Sequence, residues 1–395
     1  MIRLPKINII NYYYVLVVLI YFLAIYFPFI RVGLFMSLIM LFGVFILYKK
    51  KIRLRKGLDM LVLAYISYNI VSVIFYYFSD IPVSVFFKEF SNSILPIILF
   101  YFFGRLDYDH SFYKITLYAI VVCFIVGFYF QLTLPMIYMQ RMHVMEGAGT
   151  NPLGYVTMYR SFLGLTATGA LGAIGVLLSF NTLYKSNFKT GKFFFVICFI
   201  AVILSFRRAA IYTGAFGIIS INMLVLFKFK SKKTKLLFIQ GLIGFLCFYW
   251  LIPKNPDILF DLGDRFMSLS GAIDERIDSW FDGLSKTQSL LTGDGLGRYG
   301  HKVVAFSDAY IPDGNYFRMI AELGIVGFLL FLSIIFTAIY NGFLKINTHY
   351  IQLLIVIMVC MQSVGSDMFS FQLVAPIFWY SIGACSKFKP QKEKK

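Results

Sequence analysis

The chain has 395 residues with a net charge of +18; 59% of them are hydrophobic and 14% charged, and the mean hydropathy is +0.77. Such a composition excludes a soluble globular domain and points to an all-α polytopic membrane protein. The basic excess would suit nucleic acid only if it were gathered on one folded face, and it is instead scattered over short loops.

Apolar runs of roughly 17–25 residues are long enough to cross the hydrocarbon core as helices. In chain order about twelve are expected, over 9–29, 32–48, 58–78, 85–103, 115–134, 160–180, 193–206, 209–227, 236–252, 318–340, 349–365 and 369–385. The fourth is the least regular, because Lys88 and Glu89 sit near its start. The first follows only Arg3 and Lys6 without a small-residue cleavage site, which reads as a retained span rather than a signal peptide. The expected division is 1–252 as a bundle of about nine helices, 253–317 as one large loop, and 318–395 as three helices with a basic tail.

With the N-terminus inside, alternate loops and the tail gather 24 of the 37 Lys and Arg residues on one side. By the positive-inside rule both termini are then cytoplasmic, and the loop 253–317 lies on the opposite face, the periplasm of a bacterium. The five cysteines (Cys123, Cys198, Cys247, Cys360 and Cys385) fall in or at the ends of spans and at no metal-ligand spacing. Neither a disulfide framework nor a metal site is expected, and no cofactor.

Along the chain, candidate chemistry first appears in the loop 135–160, which offers Arg141, His143, Glu146 and Arg160 among turn-forming glycines. Arg141 and His143 are candidates for lining a polar cavity. Arg207 and Arg208 then stand where the seventh and eighth spans meet with almost no loop. Arginine at such a place is costly and normally faces a partner or an aqueous cavity, and its planar fork suits phosphate oxygens.

The large loop carries ten of the nineteen acidic residues, which sets it apart from every other connection. Ile277, Trp280, Phe281 and Leu284 follow helical spacing and predict an amphipathic helix, with Asp274 and Glu275 at its positive end and Arg276 on the border of its apolar face. Gly293, Gly295 and Gly297 match a phosphate-binding pattern, but no strand precedes them, so they read as a tight turn that lets a bulky substrate approach the backbone. Arg298 and His301 follow it. His301 is a candidate general base and Asp313 its rival, placed before Gly314 and Asn315 where the chain returns to the membrane. Glu322, inside the returning helix, is an intramembrane ionisable group and so a further candidate; Asp367 is a weaker one.

These segments resemble the O-antigen ligase and polymerase superfamily. Ser205 to Ala210 is similar to its S-R-x-A element. Arg276 to Trp280, followed by Gly293 to Gly297, resembles its R-x-x-x-W and G-x-G-x-G loop. Asn315 to Gly327 resembles its H-N-x-x-L and E-x-G-x-x-G return. The resemblance implies a metal-independent glycosyltransferase of the bacterial inner membrane that uses undecaprenyl-diphosphate-linked oligosaccharide. Membrane lipid and a chain-length regulator would be its partners. It assigns Arg207 or Arg208, and Arg276, to the diphosphate, with Arg298 as a further candidate, and transfer with inversion. The helical spacing of Ile277, Trp280, Phe281 and Leu284, which lays the loop back on the bundle, leads to the expectation that Arg276 faces Arg207 and Arg208 across one cavity. One position departs from the pattern: where the family, and its ligases most clearly, has His before the Asn, this chain has Gly314. That favours a Wzy-type polymerase over a ligase that transfers glycan to lipid A–core. A lipid-linked oligosaccharide flippase is the reading without bond chemistry.

Overall fold

A computed structural model describes residues 9–27, 29–48, 52, 54, 57–106, 108–133, 159–185, 188–205, 207–224 and 269–386. Among them the regular structure is all helical. Five helical stretches are long and apolar enough to cross a membrane: Leu58–Phe78, Val83–Leu106, His110–Thr133, Leu165–Leu183 and Asn315–Leu344. Ile10–Tyr26, Val32–Tyr48 and Ile346–Gln362 are shorter apolar helices. The expected span 236–252, and Arg141 and His143, lie outside the described residues.

By packing, the chain divides into two compact units, residues 1–119 with 276–395, and residues 120–275. The first begins with α1 (Tyr13–Tyr26) and α2 (Val32–Tyr48), then α3 (Leu58–Val71), which tightens into a 3-10 segment over Ser72–Phe78. Next, α4 (Val83–Pro96) passes through one π-helical turn (Ile97–Tyr101) into α5 (Phe102–Leu106). Pro96 lacks the amide that an α-helix needs there, and the wider turn follows it directly. The helix α6 (His110–Thr133) runs from this unit into the other.

The last expected span, 369–385, is not a full crossing. Its helical part, α13 (Ala375–Cys385), has only 11 residues, and all of them are buried. It packs against α5 and the π turn, where Gly104 meets the Tyr380 carbonyl and Gly383 meets the Tyr101 carbonyl. A helix apolar on every side, as this one is, belongs in a core as readily as in lipid.

The second unit holds α7 (Leu165–Lys185), α8 (Phe188–Leu204) and α9 (Arg208–Leu224). Gly172 and Gly175 of α7 face Val202 and Cys198 of α8, where an added Cβ would sit 2.8 and 2.7 Å from the neighbouring side chain. Small residues at this spacing let two helix backbones approach closely where no hydrophobic effect drives them together.

The remaining elements are α10 (Leu269–Ser285), which belongs to the first unit from Arg276 onward, and α11 (Asn315–Leu344) and α12 (Ile346–Gln362), both of the first unit. The amphipathic helix expected in the loop is α10, and it begins a turn before Asp274. Trp280 is buried with Tyr299, Ile311 and Ala321, and Ile277, Leu284 and Phe317 pack on them. Phe281, expected on the same face, is exposed and meets only the edge of Phe317.

Candidate functional site

The helix α11 is cut at Gly324, whose φ of +65° lies in the left-handed region that favours glycine. An unbroken helix would bond the amides of Ile325 and Val326 to the carbonyls of Ala321 and Glu322. Here the loop 290–295 takes both halves of that pair. The Asp294 and Gly295 amides donate to the Ala321 and Glu322 carbonyls (3.0 and 2.8 Å), and the Ile325 and Val326 amides donate to the Leu290 and Leu291 carbonyls (2.9 and 3.3 Å). All four backbone groups freed by the break are satisfied, as buried backbone requires. Gly293 is pressed on Gly324 and the Glu322 carbonyl so closely that a side chain at either glycine would strike backbone.

The structure thus gives the glycine turn a different neighbour from the one expected. Gly295 approaches Ser72 and Tyr76, and Gly297 approaches Glu89, so the close contacts are with the protein's own helices rather than a substrate. Asp294 locks the turn: its carboxylate accepts from the Gln288 amide (3.0 Å) and from the Tyr299 hydroxyl (2.6 Å). Arg298 donates to the Asp294 carbonyl at 3.1 Å, which directs its guanidinium to the loop itself.

Beneath this loop lies a buried ionic cluster that centres on Arg318. Its guanidinium meets Glu89 at 2.6 Å, Glu322 at 3.2 Å, and Asp367, and also donates to Ser370 at 3.2 Å. Lys302 stands 3.6 Å from Glu89 and donates to the Lys88 carbonyl at 2.9 Å. Ser93 donates to Glu89 at 2.9 Å, and the Tyr299 amide to Glu322 at 3.2 Å. Asn315 belongs here too. With its amide oriented by its neighbours it donates to Asp367 (2.9 Å) and accepts from the Met368 and Phe369 amides (2.8 and 2.9 Å). A cavity of about 30 Å³ adjoins the cluster, lined by Ser93, Asn315, Arg318, Glu322 and Ser370 among others. Burial pushes the Asp367 carboxyl above its ordinary value even against the Arg318 pair. Burial likewise lowers the Lys302 amine against the pull of Glu89.

Above the cluster is a more open group. The Arg276 guanidinium lies 3.6 Å from Asp313 and 3.5 Å from the Gly365 carbonyl, and both charged side chains are 38% exposed. Asp313 has a φ of +52°, rare for a residue with a side chain. His301 is exposed and its Nδ1 lies 2.6 Å from the Tyr310 hydroxyl. Burial, then the Asp313 and Asp367 carboxylates, raise that hydroxyl to about 12. Gly314 lies under the Trp280 indole, which donates to the Pro312 carbonyl at 2.7 Å and stacks on Phe317. A Cβ at Gly314 would be 2.5 Å from the indole nitrogen. A side chain at this position, histidine included, would strike the indole.

Arg207 and Arg208 belong to the second unit. There the Tyr159 amide donates to the Leu204 carbonyl (2.8 Å), which brings the buried Arg160 to the turn between α8 and α9. Arg207 donates to the Thr166 hydroxyl, and its stem packs over Gly169.

No family model matches the chain, and no curated protein matches it.

Arg318 is not among the residues that the motifs nominate, and Glu89 enters there only as an irregularity in the fourth span. A signal for Arg318 existed: Arg318 and Glu322 stand at i and i+4 in an otherwise apolar helix. Glu89 and Asp367, far away in the chain, gave no spacing from which to recognise them as its partners. Among the described residues, no group of three or more His, Cys, Asp or Glu is arranged to hold a metal ion.

Proposed function

We propose that the chain is a Wzy-type glycan polymerase, which transfers a growing glycan from undecaprenyl diphosphate onto the next lipid-linked repeat unit at the periplasmic face of the bacterial inner membrane. The observation that carries the reading is the pairing of Arg276 with Asp313, both half-exposed, beside the start of α11. It brings Arg276, which opens one of the segments on which the family resemblance rests, to a residue two positions before another, Asn315 to Gly327. The glycine turn, Gly293 to Gly297, is spliced into the same helix.

In this reading Arg276 is held by Asp313 and the Gly365 carbonyl with N–H groups left to donate to the diphosphate. Asp313 takes the proton from an acceptor hydroxyl, whose oxygen attacks the anomeric carbon as the bond to the diphosphate oxygen breaks. The leaving diphosphate gains negative charge, which arginine stabilises. Resemblance assigns Arg207 or Arg208 to the same group. Asp313 is preferred over Glu322, whose oxygens are buried against Arg318 and the Tyr299 amide, out of reach of a bulky glycan. Its backbone outlier adds to the case, since such strain persists where the surroundings impose it.

The test is the surface-polysaccharide banding pattern of a deletion strain complemented with variants. Arg276→Ala, Arg207→Ala and Asp313→Asn should each leave core that carries a single repeat unit, while His301→Ala keeps a ladder. Accumulated carrier-linked long chains would instead indicate a ligase, and repeat units held on the cytoplasmic face a flippase. Normal ladders from both arginine variants would end the proposal.

A further inference from the structure

The polarity of the loop 253–317 sets it in water, but the splice at Gly324 sets part of it lower. Residues 324–344 carry no charged side chain, and as helix they reach about 30 Å, the thickness of the hydrocarbon core. The Leu290 and Leu291 carbonyls are bonded to Ile325 and Val326, inside that run. A second ruler agrees. The Thr292 carbonyl accepts from the Tyr68 hydroxyl at 2.9 Å, and Tyr68 lies midway along the apolar stretch Leu58–Phe78.

Eight backbone groups of this segment have partners inside the protein, the Leu290 and Leu291 amides not among them. Leu290, Leu291, Thr292 and Leu296 have their carbonyls taken by Ile325, Val326, Tyr68 and Tyr76. The Gly293, Asp294, Gly295 and Leu296 amides are taken by Ser289, Ala321, Glu322 and Ser72. Water would satisfy these groups at no structural cost, whereas hydrocarbon leaves no alternative to internal partners. The side chains of Leu290 and Leu291 meanwhile point away from the protein, 48% and 62% exposed. They continue the exposed apolar side chains Ile325, Val326 and Leu329 of α11, which need lipid in any case.

We propose that residues 286–298 form a re-entrant segment whose tip, Leu290 and Leu291, rests against the acyl chains of the leaflet on the loop side. The occupant is bulk lipid, because the tip is continuous with the lipid-facing stripe of a span and no charged side chain lies between Lys286 and Asp294. The segment anchors the loop in the bilayer whether or not the chain transfers glycans.

The test uses the full chain in phosphatidylcholine and phosphatidylglycerol vesicles. Leu291→Cys and Leu290→Cys are compared with Asp282→Cys, 65% exposed on α10, and with Leu329→Cys in the span. Labelling of the unsubstituted protein is subtracted. A membrane-impermeant maleimide should react with the tip cysteines roughly tenfold more slowly than with Asp282→Cys, since the reactive thiolate is disfavoured in apolar surroundings. A bimane label at either tip position should lose fluorescence in vesicles with brominated acyl chains, as Leu329→Cys does. Two substitutions keep the experiment decisive if one variant fails to fold. Reaction as fast as that of Asp282→Cys would overturn the proposal. So would protection without quenching, because the tip would then be covered by protein, whether another part of the chain or a second copy.

Discussion

Arg318→Met removes the cation at the centre of the buried cluster while keeping a side chain of similar length. Three carboxylates (Glu89, Glu322 and Asp367) then share only Lys302, which is 3.6 Å from Glu89 and does not contact the other two among the ion pairs described. Breaking one buried pair from one side costs about 3–5 kcal/mol, because a charge is left uncompensated in low dielectric. Protonation of one carboxyl relieves part of this, so about 4–5 kcal/mol is expected for the cluster rather than three times that figure. Against a total stability of order 5–15 kcal/mol this is a large share, and for a chain of this size it corresponds to a fall of about 5 °C in Tm. The assay is thermal unfolding of the purified protein followed by tryptophan fluorescence. The compensated variant (Arg318→Met with Glu89→Gln, Glu322→Gln and Asp367→Asn) should recover most of the loss, since a neutral cluster has no charge to strand. A single variant that loses less than about 1 kcal/mol, or a compensated one less stable than the single, would refute the electrostatic account.

Gly314→Ala should cost about 2–4 kcal/mol, from overpacking against Trp280 and the strained indole hydrogen bond to Pro312. Adding Trp280→Ala should then cost less than it does in the unsubstituted protein, read as non-additive Tm shifts. Asp109, just before α6, is a case for pH. Burial would raise its pKa, but hydrogen bonds from the Ser111 amide and hydroxyl and from Asn11 outweigh it and the carboxyl is lowered. Its stabilisation is therefore complete above the ordinary carboxylate value and fades as pH falls through the folded one. The Tm gap between the protein and Asp109→Asn should narrow between about pH 5 and pH 3, and a gap that widens on acidification would contradict this. Gly324→Ala should destabilise by more than about 1 kcal/mol, because the left-handed φ and the contact with the Leu291 carbonyl both oppose a side chain. An unchanged Tm would mean that the helix break is not fixed by that glycine.

Much of this arrangement is legible in the residues. Helical spacing found α10, and three of the four apolar side chains it nominated pack into the core; the apolar runs located the spans Leu58–Phe78, Val83–Leu106 and Asn315–Leu344 to within a few residues. The short α13 was not distinguishable from a crossing helix, because burial in protein and burial in lipid select the same side chains. The glycine turn was recognised as a place of close approach, but its neighbour was misjudged. The amides of Asp294 and Gly295 have partners only because α11 breaks, and a break at Gly324 leaves no periodic trace. Arg276 and Asp313 stand 37 positions apart, so spacing nominated each of them without pairing them.

The splice at Gly324 also constrains the order in which the chain is assembled. The loop 290–295 leaves the ribosome before α11, yet its Asp294 and Gly295 amides have no partners until α11 exists. The carbonyls of α11 at the break are in the same position without the loop. Glu89, made far earlier, must wait with its charge until Arg318 arrives. Biogenesis of this region is therefore a late, concerted step. A ribosome stalled before residue 326 holds helices with no way to close the splice, and one stalled before Ser370 holds an ionic cluster still short of its last partners.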